Sequence, residues 1–433
     1  MIYTSILDYI GQTPLLKIAP EIHGLNNVEL YAKCELFNPF GSVKDRTALA
    51  LVKKHLTELK SSGQTFLESS SGNTAKALQV ILSMSGIEFK SVTNRIKTPE
   101  VREILSALGA KLQELPGLSE CPDPTDPYNP ISYIANMISR NPKKYFQNSQ
   151  YYSLDNPAIH HTTGTEIFAD LGALDYFFGV LGTTGSTRGV TEFIKNKNPA
   201  LQTIGIIAEK GDYLPGIRNQ DEIHEVGIFE RSLYTDIVQI SVDAAIDSML
   251  ILNRKCGLLC GPTSGGAFAG TIAYLKSNPP PKLSKVVFIA CDRLEWYMSY
   301  LKKYRPSLFG GENKENVHNL TEQEIQAAAV VSAEDAPKWI AENKPLIIDL
   351  RGNTAFKTAH LPGSINITDN IFEDLTQYAP PFSKGNKVLL VCPVGDRSRA
   401  FVALLLRKGF DSAYSLDGGI VKYRDLGWAL ERS

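Results

Sequence analysis

The sequence predicts an α/β protein with a large N-terminal domain and a smaller C-terminal one, and three observations carry that prediction. The chain has 433 residues of ordinary globular composition, 43% hydrophobic and 21% charged, so at about 150 residues per domain two or three cores are expected. From Leu30 to about Leu301, short β-rich runs alternate with helical patterns, the rhythm of strands and crossover helices around a buried sheet. The polar segment Lys302–Asn319 (KKYRPSLFGGENKENVHN) has little to bury, and after it the alternation restarts on a smaller scale. The expected organisation is a domain over 1–301, a linker over 302–325 and a domain over 326–433.

In the large domain VELYAKCE, YFFGVLGTTG and KVVFIAC read as strands, because they are short, apolar and rich in β-branched and aromatic residues. TALALVKKHLTELKSS and AKALQVILSMSG read as helices. In the small domain the order is a helix at EDAPKWIAEN, strands at PLIIDLR and KVLLVCP, a helix at SRAFVALLLRKG and a short strand at AYSL.

Composition excludes several functions. Lys and Arg number 45 against 46 Asp and Glu, with no long block of one sign, which disfavours binding to nucleic acid or an anionic membrane. The longest apolar stretches are strand-sized, too short to cross a bilayer. Cys34, Cys121, Cys256, Cys260, Cys291 and Cys392 are scattered, with no CxxC pair and no His at metal-ligand spacing, so neither a disulfide framework nor a structural zinc is expected. The N-terminus lacks a basic start followed by an apolar core, and a reducing, cytoplasmic location is expected.

Four motifs in the large domain carry chemistry. In NPFGSVKDR, Asn38–Arg46, Lys44 stands in the first turn of a helix, where burial and helix dipoles lower a lysine pKa and prepare it to form a Schiff base. In ESSSGNTAKAL, Glu68–Leu78, three serines, Gly, Asn and Thr precede an Ala-rich helix, a donor-rich start suited to a carboxylate or phosphate. GTTGSTRG, Gly182–Gly189, is a small-residue turn from strand to helix that lets backbone approach a phosphate. CGPTSGGAFAG, Cys260–Gly270, is a second such loop, with hydroxyls that could reach a ring heteroatom.

Together with IGQTPLLKI, Ile10–Ile18, and NPAIHHTTGTEI, Asn156–Ile167, these motifs resemble the pyridoxal-phosphate enzymes of the cysteine synthase and cystathionine β-synthase family, fold type II, over about residues 1 to 300. The resemblance implies two α/β subdomains with twisted sheets, a homodimer and pyridoxal 5'-phosphate as cofactor. It implies that Lys44 holds the cofactor and then removes the substrate α-proton. Asn73 would bond the pyridoxal 3'-oxygen, and Thr263, or in its place Ser264, the pyridine nitrogen. Gly182, Thr183, Thr184, Gly185 and Ser186 would cradle the phosphate. Ser70, Ser71, Gly72 and Thr74, with Gln150, would embrace the substrate carboxylate. A neutral hydroxyl at the ring nitrogen suits β-elimination, giving an α-aminoacrylate to which a nucleophile adds.

Two features depart from the family. Thr184 replaces a glycine of the usual GTGGT phosphate loop, which should add a donor and stiffen the turn. The substrate-side loop reads LPGIRNQDEI, Leu214–Ile223, in which Arg218 is a candidate for reading an anionic leaving group such as phosphate.

In the small domain, Cys392 follows a buried-looking strand and precedes a helix, with Gly395, Arg397 and Ser398 forming the loop; amides so placed stabilise a thiolate or persulfide. PLIIDLRGNTAFKTAHLPGSINI, the Cys392–Ser398 loop and LDGGIVKYRDLGW resemble a rhodanese, or sulfurtransferase, module over about 326–433. Its C-x4-R spacing is one residue shorter than in the related phosphatases and fits sulfur better than phosphate. Asp349 and Arg351 are expected to hold the domain together.

The expected function is a β-substitution that converts O-acetylserine or O-phosphoserine to cysteine or thiocysteine, with sulfane sulfur supplied by a Cys392 persulfide. Tethering would raise the local donor concentration to about the millimolar range. The expected partners are a small amino-acid substrate and a sulfur donor. Two alternatives stay open: a diaminopropionate-type synthase using an amine nucleophile, and a rhodanese module that only docks a partner.

Overall fold

Apolar runs buried on both faces fold as parallel strands, and the residues between them as covering helices. The computed structural model describes residues 2–93, 96, 98–115, 129–310, 317, 320–378 and 380–432; Cys121 and residues 311–316, 318 and 319 of the expected linker lie outside them. The chain forms two compact units, Met1–Glu114 with Pro130–Arg305, and Leu115–Asn129 with Pro306–Ser433.

The strands of the large unit are β1 (Leu15–Ile18), β2 (Val28–Cys34), β3 (Thr65–Glu68), β4 (Phe89–Thr93), β5 (Lys111–Glu114), β6 (Tyr145–Phe146), β7 (Tyr176–Val180), β8 (Gln202–Ala208), β9 (Asp236–Ile240) and β10 (Ser284–Ala290). Among the described residues they form two sheets, β1-β2-β10-β7-β8-β9 and β5-β4-β3-β6. All neighbours run parallel except β1 and β2. Each sheet has its own core: Leu30, Phe177, Phe178, Ile204 and Phe288 fill one, Phe66, Leu78, Ile81 and Phe89 the other. The two expected subdomains are present.

The first expected helix begins earlier and is broken. It runs Lys44–Lys53 and then Leu56–Ser62, and the turn between sets the His55 ring 4.8 Å from Phe146. The second spans Asn73–Met84.

In the small unit β11 (Val330–Val331), β12 (Leu346–Asp349), β13 (Ile365–Asn366), β14 (Val388–Val391) and β15 (Ala413–Leu416) form one parallel sheet, ordered β11-β15-β14-β12-β13. Period-2 alternation sends Ile348, Val388 and Leu390 into one core and Ile347, Leu389 and Val391 into the other. Parts of the expected linker carry structure: the helix Met298–Tyr304 runs past Leu301, and Val317, Leu320 and Ile325 pack on the small unit's core. Their apolar side chains give that stretch something to bury. Among the described residues no helix is long and apolar enough to cross a membrane.

Candidate active sites

Lys44 opens its helix beside the C-terminal end of β10, where Val43 N donates to Cys291 O (2.8 Å) and Ser42 bridges Asp292. Its Nζ lies 3.3 Å from Thr183 Oγ1, so the lysine and the small-residue turn 139 residues away face one another. Burial lowers the Lys44 pKa, opposed by Cys291 and Asp292. A lysine there can shed its proton, which nucleophilic amine chemistry requires.

The turn Gly182–Ser186 joins β7 to the helix Gly185–Lys197. Thr184 sits at φ 62°, left-handed backbone that glycine adopts at less cost, and the helix start has no side-chain cap. Thr184 Oγ1 is buried without a partner among the described residues. Thr183 Oγ1 accepts from Asn156 Nδ2 (3.2 Å), and a Cβ on Gly185 would lie 2.2 Å from Asn156 Oδ1. The Thr184 hydroxyl beside an uncapped helix start, next to the Thr183 that Lys44 meets, fits an oxyanion supplied from outside the protein.

Asn73 begins its helix and donates through Nδ2 to Asp292 Oδ2 (2.9 Å) and Tyr297 OH (3.3 Å). Tyr297 OH donates to the same Asp292 oxygen. Thr263 Oγ1 donates to Pro215 O (2.7 Å) and lies 3.5 Å from Asp292 Oδ2. Ser264 Oγ instead accepts from Cys291 N (2.8 Å). Of the two hydroxyls offered for a ring nitrogen, Thr263 therefore belongs to the Asn73–Asp292 cluster and Ser264 to the strand end. Burial pushes the Asp292 carboxyl up to about 6, and its Oδ1 is buried without a partner among the described residues.

In the Ser70–Thr74 turn, Ser70 Oγ accepts from Gly72 N (3.4 Å) and Ala75 N (3.2 Å). Thr74 Oγ1 donates to Gln150 Oε1 (2.7 Å), and Gln150 Nε2 donates to Ser69 O (3.0 Å). The sequence-distant Gln150 is thus brought to the Ser70–Thr74 turn, with Ser71 and Gly72 half-buried in it. Because Thr74 gives its one proton to Gln150, a bound carboxylate would draw first on the turn's amides and other hydroxyls.

Arg218 lies where its loop meets the Gly182–Ser186 turn: Arg218 N donates to Leu181 O (2.8 Å), and a Cβ on Gly182 would be 2.4 Å from Gly216 O. Its guanidinium is engaged by Glu225 (2.7 Å), donates to Glu222 O (2.9 Å) and lies over the Tyr151 ring at 5.3 Å. The charge is answered within the loop.

In the small unit Cys392 directly follows β14, the middle strand, and is 2% exposed. Its Sγ accepts from Gly395 N (3.1 Å), Ser398 N (3.4 Å) and Ser398 Oγ (3.3 Å). Gly395 takes φ 95°, so the loop curls its amides inward. Arg397 stacks over Phe401 at 5.0 Å, with Asp369 and Glu373 3.9 and 3.8 Å away. Arg351 grips both oxygens of Asp349 (3.0 and 2.7 Å), the expected structural pair.

Sequence reading missed Asp292, Tyr297 and Lys76. A signal existed for the first: an acidic residue immediately after the apolar run VVFIAC, at the carboxyl end of a parallel strand, where α/β sites form.

Residues 6–292 match the family model of pyridoxal-phosphate dependent enzymes, and residues 332–426 that of rhodanese-like domains. The chain is 32% identical over 305 residues to cysteine synthase B of Pseudomonas aeruginosa, covering 69% of this chain and 96% of that one. It is 30% identical over 295 residues to O-ureido-L-serine synthase of Streptomyces lavendulae, covering 64% and 86%. Among solved structures it is similar to the O-acetylserine dependent cystathionine beta-synthase from Helicobacter pylori, with TM-score 0.59, 29% identity and coverage of 69% of this chain and 98% of that one.

Proposed function

The chain belongs to the pyridoxal-phosphate dependent enzymes of the cysteine synthase type and carries a rhodanese-like domain, and from that premise we propose that it makes cysteine or thiocysteine from O-acetylserine with sulfur delivered by Cys392. Bound pyridoxal phosphate supplies an electron sink for the α-carbon. The observation that supports the reading best is the meeting of Lys44 Nζ with Thr183 in the turn where the buried Thr184 hydroxyl lacks a partner among the described residues. Lys44, its proton held loosely by burial, holds the cofactor and moves the substrate α-proton. Gly182–Ser186 hold the phosphate, Asn73 and Thr263 orient the ring, and Ser70, Ser71, Gly72 and Thr74, with Gln150 behind Thr74, seat the carboxylate. Acetate leaves Cβ and a sulfur nucleophile replaces it.

A neutral ester is favoured over O-phosphoserine because Arg218 already faces Glu225. At the second site the Cys392 thiolate takes the outer sulfur of thiosulfate, releasing sulfite and leaving a persulfide on fixed loop donors. Addition of that persulfide to Cβ leaves the product joined to Cys392 by a disulfide, which a thiol cleaves to release cysteine; in the other route two thiols reduce the persulfide to sulfide, becoming a disulfide themselves, and the sulfide adds to Cβ. The enzyme works in the cytoplasm as a homodimer, which light scattering would test.

The deciding experiment records visible absorption of the purified holoenzyme. O-acetylserine should move the cofactor band to longer wavelength, sulfide should restore it, and O-phosphoserine should leave it unchanged. A response to O-phosphoserine alone would overturn the leaving-group assignment, and a response to neither the substrate class. Lys44→Ala should abolish turnover. Cys392→Ser should stop product formation from thiosulfate plus thiol while sparing that from free sulfide; equal rates in both would refute sulfur delivery.

A further inference from the structure

We propose that Lys76 is a positioning residue, an internal counter-charge that keeps Asp292 ionised and thereby fixes Asn73 and Tyr297 in the cofactor site. The inference rests on the reaction proposed above and concerns a group outside it.

Lys76 lies one turn after Asn73 on the helix Asn73–Met84, so both project from one face. It is 4% exposed, its Nζ has no hydrogen-bond partner among the described residues, and it sits 3.8 Å from the centroid of the Trp296 ring. Its helix neighbours Ala75, Ala77 and Leu78 are buried and apolar. An apolar residue would fill this place without the cost of burying an ammonium group. What offsets that cost is the surrounding charge. Asp45, from the helix that Lys44 opens, and Asp292 and Glu295, after β10, favour the ammonium, while Arg293 opposes it. Glu100, on the neighbouring helix Pro99–Ala107, is occupied by Ser299 N (2.6 Å).

The coupling runs through two adjacent residues. Trp296 receives the ammonium on its ring, and Tyr297 donates to Asp292 Oδ2, the oxygen that also takes Asn73 Nδ2. A carboxylate can accept from Asn73 and Tyr297 at once; a protonated acid loses acceptor capacity and the cluster loosens. Burial pushes Asp292 up to about 6 and Lys76 down to about 8, so opposite charges coexist between those values. Removing Lys76 raises the cost of the Asp292 charge further.

The test uses the full-length holoenzyme and reads more than turnover. Trp296 is the single tryptophan before Pro306, since Trp339 and Trp428 belong to the small unit. An ammonium over an indole quenches its emission, so wild-type fluorescence should rise as Lys76 loses its proton, and Lys76→Met should lack that step. In Lys76→Met the midpoint of the cofactor's absorption against pH should move by about one unit or more, and kcat should fall about tenfold with KM for O-acetylserine within about twofold. Lys76→Arg, which keeps the charge, should restore most of the rate. A Lys76→Met holoenzyme with wild-type kcat and an unmoved absorption profile would overturn the proposal. So would wild-type fluorescence with no step between pH 6 and 10, a measurement that decides even if the variant does not fold. Should no serine ester react, the absorption and fluorescence profiles still test Lys76, which keeps its failure separate from that of the proposed reaction.

Discussion

Glu68 ends β3 fully buried, with N–H groups of Ser69 (3.0 Å) and Gln150 (3.3 Å) donating to its two oxygens. Burial pushes its carboxyl from 4.5 up to about 8 despite those donors. Between these values the unfolded chain gives up a proton that the folded chain keeps, so Glu68 subtracts stability as pH rises through that window. Glu68→Gln should therefore show no gain in Tm over wild type at pH 4 and a growing gain toward pH 8; equal gains at both would remove burial as the cause. A second single-residue prediction concerns Gly419 at φ 61°, where a Cβ would stand 2.4 Å from both Cys392 O and Pro393 O. Gly419→Ala should cost more than about 2 kcal/mol in the small unit's denaturant unfolding and abolish mass gain at Cys392 after thiosulfate. At this scale the sequence was legible where chemistry is written in runs of small residues before a helix, as at Gly182–Ser186, or in a signature such as Cys392–Ser398. It was illegible where one charged residue meets its partner only through folding. Arg218 reads as an anion receptor until Glu225 is seen facing it, and Lys76 reads as one more helix lysine until Trp296 lies under it.

Among the elements, the helix carrying Lys44 is anchored by a buried charge cluster. Arg46 pairs with Glu35 after β2 (2.8 Å) and with Glu166 of the helix Asp155–Leu171 (2.7 Å), which also takes Lys33 of β2 (2.7 Å). Burial opposes the Glu166 charge, yet Arg46 and Lys33 hold its carboxyl down at about 2 against 4.5. The resulting stability is present above pH 4.5 and lost as pH falls toward 2, in all about 3 kcal/mol. Urea midpoints at pH 6 and pH 3 should differ more in wild type than in Glu166→Gln; equal differences would mean that the cluster contributes nothing. Strand positions were legible from apolar runs, and AYSL fell on β15 residue for residue. The break at Lys54–His55 was not legible, because no Gly or Pro marks it and the Phe146 ring that His55 meets is distant in sequence.

Over the whole chain, each unit has its own cores, so calorimetry should resolve two transitions, with added pyridoxal phosphate raising one of them. A single transition moved as one by the cofactor would mean that the units unfold together. The two-domain plan was legible from the restart of alternation after Asn319; the limits of the connecting stretch were not, because Val317, Leu320 and Ile325 are few among polar neighbours. The position of β10 has a consequence for biosynthesis. It is the last strand of its sheet to be translated, yet it lies between β2 and β7, and the residues just beyond it pin Val43 and hold Asn73. A ribosome that has made the other five strands of this sheet has made no seam between β1-β2 and β7-β8-β9. Nascent chains arrested before Ser284 should therefore remain protease-sensitive and colourless, and acquire the cofactor only once the residues through Tyr297 have emerged.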